Sequence, residues 1–230
     1  MGFNYIYVGY SLTIIAFIIS LGADIYLRTK YSKYKKVEVK SGITGAEAAR
    51  EILKKNGLEK VYVVETKGVL SDHYDPKAKV VRLSTDIYNG TSIASVSVAA
   101  HECGHAVQDK ESYFFLRFRS FLVPFVNFSS KFGYMAVLIG LIFNAIDLAW
   151  VGIWLLIIIV LFQLITLPVE FDASKRGKRF LTDLKIVNSE ERSGASSVLR
   201  AAAFTYVAGL ITTLLELLRL VLVVMGNDRD

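Results

Sequence analysis

Residues 150–169 read Trp150-Val-Gly-Ile-Trp-Leu-Leu-Ile-Ile-Ile-Val-Leu-Phe-Gln-Leu-Ile-Thr-Leu-Pro-Val169 and contain no charged side chain. A helix of this length rises about 30 Å, which matches the hydrocarbon core of a lipid bilayer. Three more stretches are similarly long and apolar, and only a short connection around Asp147 separates the second stretch of the chain from the third. The sequence therefore predicts four transmembrane helices, of which the second and third form a hairpin. The other three stretches are Phe3 to about Ala23, a span within Phe121–Ile146, and about Ala203–Met225.

The composition fits a membrane protein that also has a substantial aqueous part. Hydrophobic residues make up 53% of the 230 residues and charged residues 21%. Soluble domains are usually roughly 45–50% apolar even when glycine is included in the count. A single cysteine excludes a disulfide framework within the chain and a cysteine-type zinc finger. The first apolar stretch follows no basic segment and is too long for a typical signal peptide, so we expect it to be a retained anchor.

Lysine and arginine are distributed unevenly around the predicted spans. Seventeen lie within residues 26–119 and seven between residues 172 and 201, whereas the N-terminal tip and the connection around Asp147 contain none. Since basic loops stay in the cytoplasm, both basic regions are predicted to be cytoplasmic and both chain termini to lie outside. Each basic cluster adjoins a span, so the net charge of +6 indicates contact with the lipid bilayer, and we expect no nucleic-acid partner.

The segment between the first and second spans carries the signals of a small α+β domain. Thr44-Gly-Ala-Glu47 is a capping box that predicts the start of a helix, and Asn56-Gly57 predicts its end. Residues 61–64 and 80–83 have short strand patterns on either side of a turn at Asp75-Pro76. With about 87 residues, such a domain is small for an enzyme, so we expect part of any active site to come from the membrane helices.

A second helix of this domain contains the motif His101-Glu102-Cys-Gly-His105. Four residues turn an α-helix by about 400°, so the two histidines lie on one face, one turn apart. Two imidazoles in that arrangement can bind one Zn²⁺. Glu102 lies beside them, where it can take a proton from a water molecule instead of binding the metal. The helix is predicted to begin at a cap at Thr91 or Ser92 and to end near Asp109.

A catalytic zinc ion needs a third protein ligand and an open position. No histidine follows His105, so the third ligand is either a carboxylate or the upstream His73. Asp109 and Glu111 lie about 12–15 Å along the same helix from His101, too far to join its coordination sphere.

Glu170 is the best remaining carboxylate, because it lies where the third span reaches the cytoplasm. An acid so close to an apolar boundary is costly unless it has a partner, and a metal is such a partner. The alternative is an ordinary interfacial acid paired with Lys175 or Arg176. Asp172 points away from the Glu170 face of a helix, whereas Ser174 shares that face and is predicted to support a ligand from behind.

The motifs together resemble one family. The His-Glu-x-x-His motif, Pro168-Val-Glu-Phe-Asp-Ala-Ser174 after a span and Leu70-Ser-Asp-His-Tyr-Asp-Pro76 resemble the neutral zinc metallopeptidases of bacterial membranes, the YugP-like family. The resemblance covers nearly the whole chain, including Ala202-Ala-Phe-Thr-Tyr-Val-Ala208, and it implies peptidase activity. The layout is more distantly similar to the heat-shock and CAAX-processing membrane metalloproteases, whose second motif is Glu-x-x-x-Asp. Ser174 stands at that aspartate position here.

Two further residues are weaker candidates for stabilising a transition state. His73, placed in the turn region between the two strands, can donate a hydrogen bond to an oxyanion, or it can be a polar turn residue bonding its own backbone. Tyr206 can donate its hydroxyl to the same oxyanion, and the alternative is a tyrosine of the aromatic belt.

The sequence thus predicts an α-helical multi-pass membrane protein with four transmembrane helices and a small cytoplasmic α+β zinc metallopeptidase domain. We expect one Zn²⁺ per chain held by His101, His105 and Glu170, a peptide or membrane-protein substrate, and other membrane proteins as further partners. A zinc-stabilised membrane scaffold or chaperone without proteolytic activity is the alternative, and a transporter using Glu216 and Arg219 is a more distant one. The predicted segments are helix 1 (1–25), the zinc-peptidase domain (26–120), the helical hairpin (121–169), the cytoplasmic segment with the third ligand (170–202), and helix 4 with a short outer tail (203–230).

Overall fold

A computed structural model describes residues 2–227 of the chain. Residue 1 and residues 228–230, which the predicted first helix and outer tail include, lie outside the described residues. Helices dominate the described part, and one small sheet accompanies them. The elements are α1 Gly2–Lys35, α2 Gly45–Lys55, β1 Tyr62–Thr66, β2 His73–Asp75, β3 Val80–Ser84, α3 Thr85–Asn89, α4 Ile93–Lys110, α5 Phe114–Ile142, α6 Ile146–Asp183 and α7 Glu191–Asn227.

Helices α1, α5, α6 and α7 are long and apolar enough to cross a bilayer, which confirms the prediction of four such helices. Only 11% to 22% of the residues in their most apolar windows are buried within the protein, so lipid is the natural cover for the rest. Three of these helices run well beyond the apolar stretches read from the sequence: α1 reaches Lys35, α6 reaches Asp183, and α7 already begins at Glu191.

The chain divides into two compact units, and each long helix contributes to both. Among the described residues, the apolar unit comprises 2–24, Phe118–Leu167 and 205–227. The polar unit comprises Ile25–Arg117 and Pro168–Phe204, and it contains the sheet together with α2, α3 and α4.

Within the apolar unit, α5 and α6 form a close helical hairpin. Asn144, in the short connection, has a positive φ of 53°, a conformation that asparagine tolerates better than most residues. Asp147, expected in the connection, lies in the first turn of α6, where a negative charge is favourable. A Cβ atom at Gly140 would lie 2.5 Å from the backbone nitrogen of Ala149, so the two helices touch through their backbones.

The sheet of the polar unit has the order β1-β3-β2, with β1 parallel and β2 antiparallel to β3. The expectation that His73 lies in a turn is wrong: it is the first residue of β2 and pairs with Arg82. The turn begins after this strand, where one carboxylate oxygen of Asp75 accepts hydrogen bonds from the backbone nitrogens of Lys77 and Ala78. A strand of three residues is too short to show an alternating pattern, so the turn signal of Asp75-Pro76 concealed it.

Helices α2 and α4 pack together within the core of the polar unit, and the caps of both helices agree with those predicted from the sequence. Thr44 and Glu47 form the reciprocal capping box of α2, and Asn56 ends this helix. Ser92 caps α4 by accepting a hydrogen bond from the backbone nitrogen of Ser95 at 3.1 Å. Helix α4 packs against α2, α3 and the sheet, and its small side chains let these neighbours approach closely. The fully buried small residues of α4 include Ala94, Ala99, Ala100, Cys103 and Ala106.

Candidate metal centre

Three side chains predicted as ligands meet inside the polar unit. His101 and His105 extend from α4, and Glu170 extends from α6. Oε2 of Glu170 lies 3.2 Å from Nε2 of His101 and 3.6 Å from Nε2 of His105. The two imidazole rings are almost perpendicular, with centroids 4.8 Å apart. One ligand atom from each of the three residues lies within 4.8 Å of the others.

The distances and the types of donor atom fit a zinc ion. Zinc binds imidazole nitrogen and carboxylate oxygen at about 2.0–2.2 Å in a tetrahedral arrangement, which separates neighbouring ligand atoms by about 3.3–3.5 Å. The two distances to Glu170, 3.2 and 3.6 Å, bracket that separation. Glu170 is only 2% exposed, and a carboxylate so deeply buried needs a positively charged partner. Two histidines and one glutamate form the ligand set of one class of catalytic zinc sites.

Close contact between α4 and α6 brings the ligands of the two helices together. A Cβ atom at Gly104 would lie 2.6 Å from the carbonyl oxygen of Ala173 on α6. One turn further along α6, a Cβ atom at Gly177 would lie 3.1 Å from the backbone carbonyl of Ala100 on α4. A Cβ atom at Gly104 would force the two helices apart, and one at Gly177 would make an unusually tight contact, so both glycines help to set how near Glu170 comes to the histidines.

Glu102 lies beside the three-residue cluster and is not a member of it. Its side chain is buried, with 7% of the residue exposed. Burial raises the pKa of the Glu102 carboxyl, and the neighbouring His101 and His105 oppose that rise without cancelling it. A carboxylate with a raised pKa binds a proton more readily, which suits a group that accepts one from water.

Each histidine is supported from behind at its other ring nitrogen. The hydroxyl of Ser174 lies 3.1 Å from Nδ1 of His101, so this serine, expected to support a ligand, contacts a histidine. Oε1 of Gln108 lies 3.0 Å from Nδ1 of His105. Sequence reasoning missed Gln108, although it lies one turn after His105 on the same face and is the one amide side chain among the small buried residues of α4.

The remaining candidate residues lie outside the ligand cluster that residues 2–227 form. His73 contacts the carbonyl oxygen of Ser71 through Nδ1 at 2.8 Å. Asp109 accepts a hydrogen bond from the hydroxyl of Tyr74 at 2.7 Å. Tyr206 belongs to the part of α7 in the apolar unit. Lys175 and Arg176 were expected as alternative partners of Glu170, but Arg176 instead binds Asp172 and Glu111.

Comparison with known proteins agrees with the chemistry of this centre. The family described as "Putative neutral zinc metallopeptidase" matches residues 9–225. The chain is 47% identical over 219 residues to the "Putative membrane protease YugP" of Bacillus subtilis (strain 168), a match that covers 95% of this chain and 97% of that protein. No solved structure matches the chain. Both the site and the match, which extends from α1 into α7, lead to one conclusion: the chain belongs to the neutral zinc metallopeptidase family.

Proposed function

We propose that this protein is a membrane-embedded zinc metalloendopeptidase that hydrolyses peptide bonds of protein or peptide substrates at the cytoplasmic face of the membrane. The observation that carries the proposal is the convergence of His101, His105 and Glu170 with Glu102 beside them. Membership of the family supports the reaction type, and the four apolar helices support the location in a membrane.

The three ligands account for one zinc ion per chain. His101 and His105 would hold the ion through imidazole nitrogens and Glu170 through a carboxylate oxygen, the number of protein ligands that is typical of catalytic zinc sites. When bound, zinc acts as a Lewis acid that makes water more acidic and polarises the carbonyl group of the scissile bond. Glu170 also neutralises part of the charge of the metal within a largely buried site.

Glu102 acts as the general base and then as the general acid. Its carboxylate accepts a proton from the attacking water and later delivers that proton to the nitrogen of the departing amine. Burial raises the pKa of the Glu102 carboxyl, which favours its acceptance of the proton from water. Its position directly after His101 on α4 keeps it next to the metal without making it a ligand.

The substrate pairs with the free edge of β2 as an added strand. β2 lies at the edge of the sheet and packs against α4, the helix that carries the motif. The hydrogen bond between Tyr74 and Asp109 holds this edge strand to α4. An extended peptide bound there by its backbone gains affinity with little demand on its sequence. His73, exposed at the start of β2, and Tyr206 stay predictions as donors to the oxyanion.

The membrane topology completes the proposal. The basic segments 26–119 and 172–201 lie in the cytoplasm with the metal centre, and both termini lie outside, as the positive-inside rule predicts. Membrane proteins are therefore natural substrates, and other membrane proteins are natural partners.

Two isosteric substitutions test the reaction. Glu102→Gln should keep stoichiometric zinc and lose about 10²–10⁴-fold in cleavage rate, because the ligands remain and the base is gone. Glu170→Gln should lose cleavage and also lose zinc on dialysis against a mild chelator. Glu190→Gln, an exposed surface change, is the matched control and should alter neither. Cleavage is measured on a substrate reconstituted in the same membrane, and zinc by elemental analysis.

Each result separates the alternatives. Full cleavage by Glu102→Gln would refute the proposed peptidase mechanism, in which Glu102 is the base. The membrane proteins that accumulate in Glu102→Gln cells are the candidate substrates. If the wild-type protein binds zinc but cleaves none of them, the zinc-stabilised scaffold is favoured. Full zinc and activity in Glu170→Gln would refute Glu170 as the third ligand.

A further inference from the structure

Gln108 is a fully buried amide with four hydrogen-bonding capacities, and the structure satisfies it through three neighbours. Its Nε2 atom donates to the carbonyl oxygen of Val169 at 2.8 Å and to a carboxylate oxygen of Asp172 at 2.9 Å. Both of these partners can only accept hydrogen bonds. They therefore identify the nitrogen end of the amide and leave the oxygen end towards His105.

The orientation of this amide determines the protonation of His105. Oε1 of Gln108 can only accept, and it lies 3.0 Å from Nδ1 of His105, so Nδ1 must carry a proton. In a neutral imidazole the lone pair is then on Nε2, the nitrogen that faces Glu170. The hydrogen bond from Ser174 does not determine which ring nitrogen of His101 is protonated, because a hydroxyl can donate or accept.

The same amide also connects the two helices that supply ligands. Val169 directly precedes Glu170 on α6, so Gln108 binds the ring of one ligand and the backbone next to another. Asp172 accepts a second hydrogen bond from Nε of Arg176 at 2.5 Å. Arg176 in turn donates to Glu111, the residue that ends α4, at 2.7 Å. The contacts thus run from α4 to α6 and back to α4.

We infer that Gln108 is a positioning residue: it selects Nε2 of His105 as the zinc ligand and fixes the register of α4 against α6 that brings Glu170 to the same ion. This inference rests on the proposed zinc site. Outer partners of metal-binding histidines typically change metal affinity by about 10–100-fold when they are removed. Gln108 is held in place by its hydrogen bond to Asp172, which in turn contacts Arg176 and, through it, Glu111. These three residues affect the ligands only by positioning Gln108.

The first measurement is zinc affinity, by competition with a chelator, for Gln108→Met and Gln163→Met. Methionine is similar to glutamine in volume, offers no donor, and has only the weak acceptor of its thioether sulfur. Gln163 is the matched control: it is the second of two glutamines in the chain, and its amide donates to Thr213 in the apolar unit. Gln108→Met should weaken zinc binding by about 10–100-fold. Gln163→Met should stay within about twofold of the wild type, since its amide binds no ligand.

The second measurement separates orientation from packing. Gln108→Glu keeps an oxygen that accepts a hydrogen bond from Nδ1 of His105 and replaces the amide donor to Val169 and Asp172. Zinc affinity should therefore fall in the order wild type, Gln108→Glu, Gln108→Met. If Gln108 only fills space, the glutamate variant will bind zinc more weakly than the methionine variant, and that order overturns the inference.

The third measurement needs no variant. With ¹⁵N-labelled histidine and only three histidines in the chain, nitrogen NMR of the zinc-loaded protein can assign each ring, with His73 as the reference. His105 should bind zinc through Nε2 and keep a hydrogen-bonded proton on Nδ1. Coordination through Nδ1 would overturn the inference while leaving the zinc site intact. A wild-type protein without stoichiometric zinc would instead refute the proposed function.

Discussion

Replacing Gly104 by alanine should damage the metal centre although it changes no ligand. The new Cβ atom would lie 2.6 Å from the carbonyl oxygen of Ala173, whereas ordinary van der Waals contact begins near 3.4 Å. The α4 and α6 backbones must therefore part by about 0.8 Å at this point, because a backbone oxygen cannot move aside as a flexible side chain can. Zinc ligand distances tolerate only about ±0.2 Å, so the helices cannot part and still hold the ion well.

The magnitude follows from this displacement. Overpacking of this kind costs about 1–3 kcal/mol in stability. We expect zinc affinity to fall at least about tenfold, as it does when the groups that orient metal ligands are disturbed. Zinc affinity is measured by chelator competition, and stability by thermal unfolding in detergent. Gly22→Ala is the matched control: a Cβ atom there meets nothing within 4 Å, and alanine favours a helix.

The comparison between the two alanine variants tests whether close backbone contact at Gly104 sets the geometry of the metal centre. If Gly104→Ala binds zinc within twofold of Gly22→Ala and unfolds at the same temperature, close backbone contact does not set the geometry of the centre. In that case the explanation given for how α4 and α6 bring the ligands together is wrong.

Four further predictions concern the ligands, the pH, the edge strand and the topology. His101→Ala should remove zinc from the purified protein, and stoichiometric metal in this variant would contradict its role as a ligand. Burial lowers the pKa of His105, but the hydrogen bond and charge of Glu170 outweigh it and raise this pKa, so protons compete with zinc up to a higher pH than usual. Zinc affinity should therefore fall by about tenfold per pH unit for each proton displaced as the pH drops below that raised pKa, and an affinity independent of pH between 5 and 8 would refute this. Tyr74→Phe should lower the free energy of unfolding by about 1.5–3 kcal/mol, because it removes a hydrogen bond to the charged Asp109; an unchanged unfolding temperature would show that this bond does not secure β2. Cysteines placed at Lys40 and Asp228 should react only from the cytoplasm and only from outside, respectively, while the buried Cys103 stays silent; labelling of both from one side would break the proposed topology.

The sequence was most informative where one strong signal acts alone. Apolar stretches about 20 residues long have few structural solutions other than membrane helices, so four such helices could be predicted. The caps at Thr44 and Ser92 are local chemistry, and local chemistry is what sequence patterns record. Glu170 could be singled out because an acid at an apolar boundary demands an explanation, although its role as a ligand stays a prediction.

The features that were missed depend on contacts between distant parts of the chain. β2 has three residues, and its pairing with β3 is visible only once both strands lie side by side. The parallel pairing of β1 with β3 is equally absent from any local pattern. The role of Gln108 depends on its hydrogen bonds to Val169 and Asp172. Both lie on another helix, more than 60 residues away in the chain, so no local pattern indicates this role.

The distance along the chain between His101 and Glu170 also determines when the metal centre can form during synthesis. These two ligands are separated by 69 positions, and both membrane helices of the hairpin are largely synthesised between them. At a translation rate of about 5–20 residues per second, the ribosome needs about 3–14 s to pass from the first ligand to the third. A newly made chain therefore carries His101, Glu102 and His105 without a complete metal centre during this interval. The three ligand side chains can meet only after α5 and the first part of α6 have been made, so the metal centre forms after the hairpin and not before it.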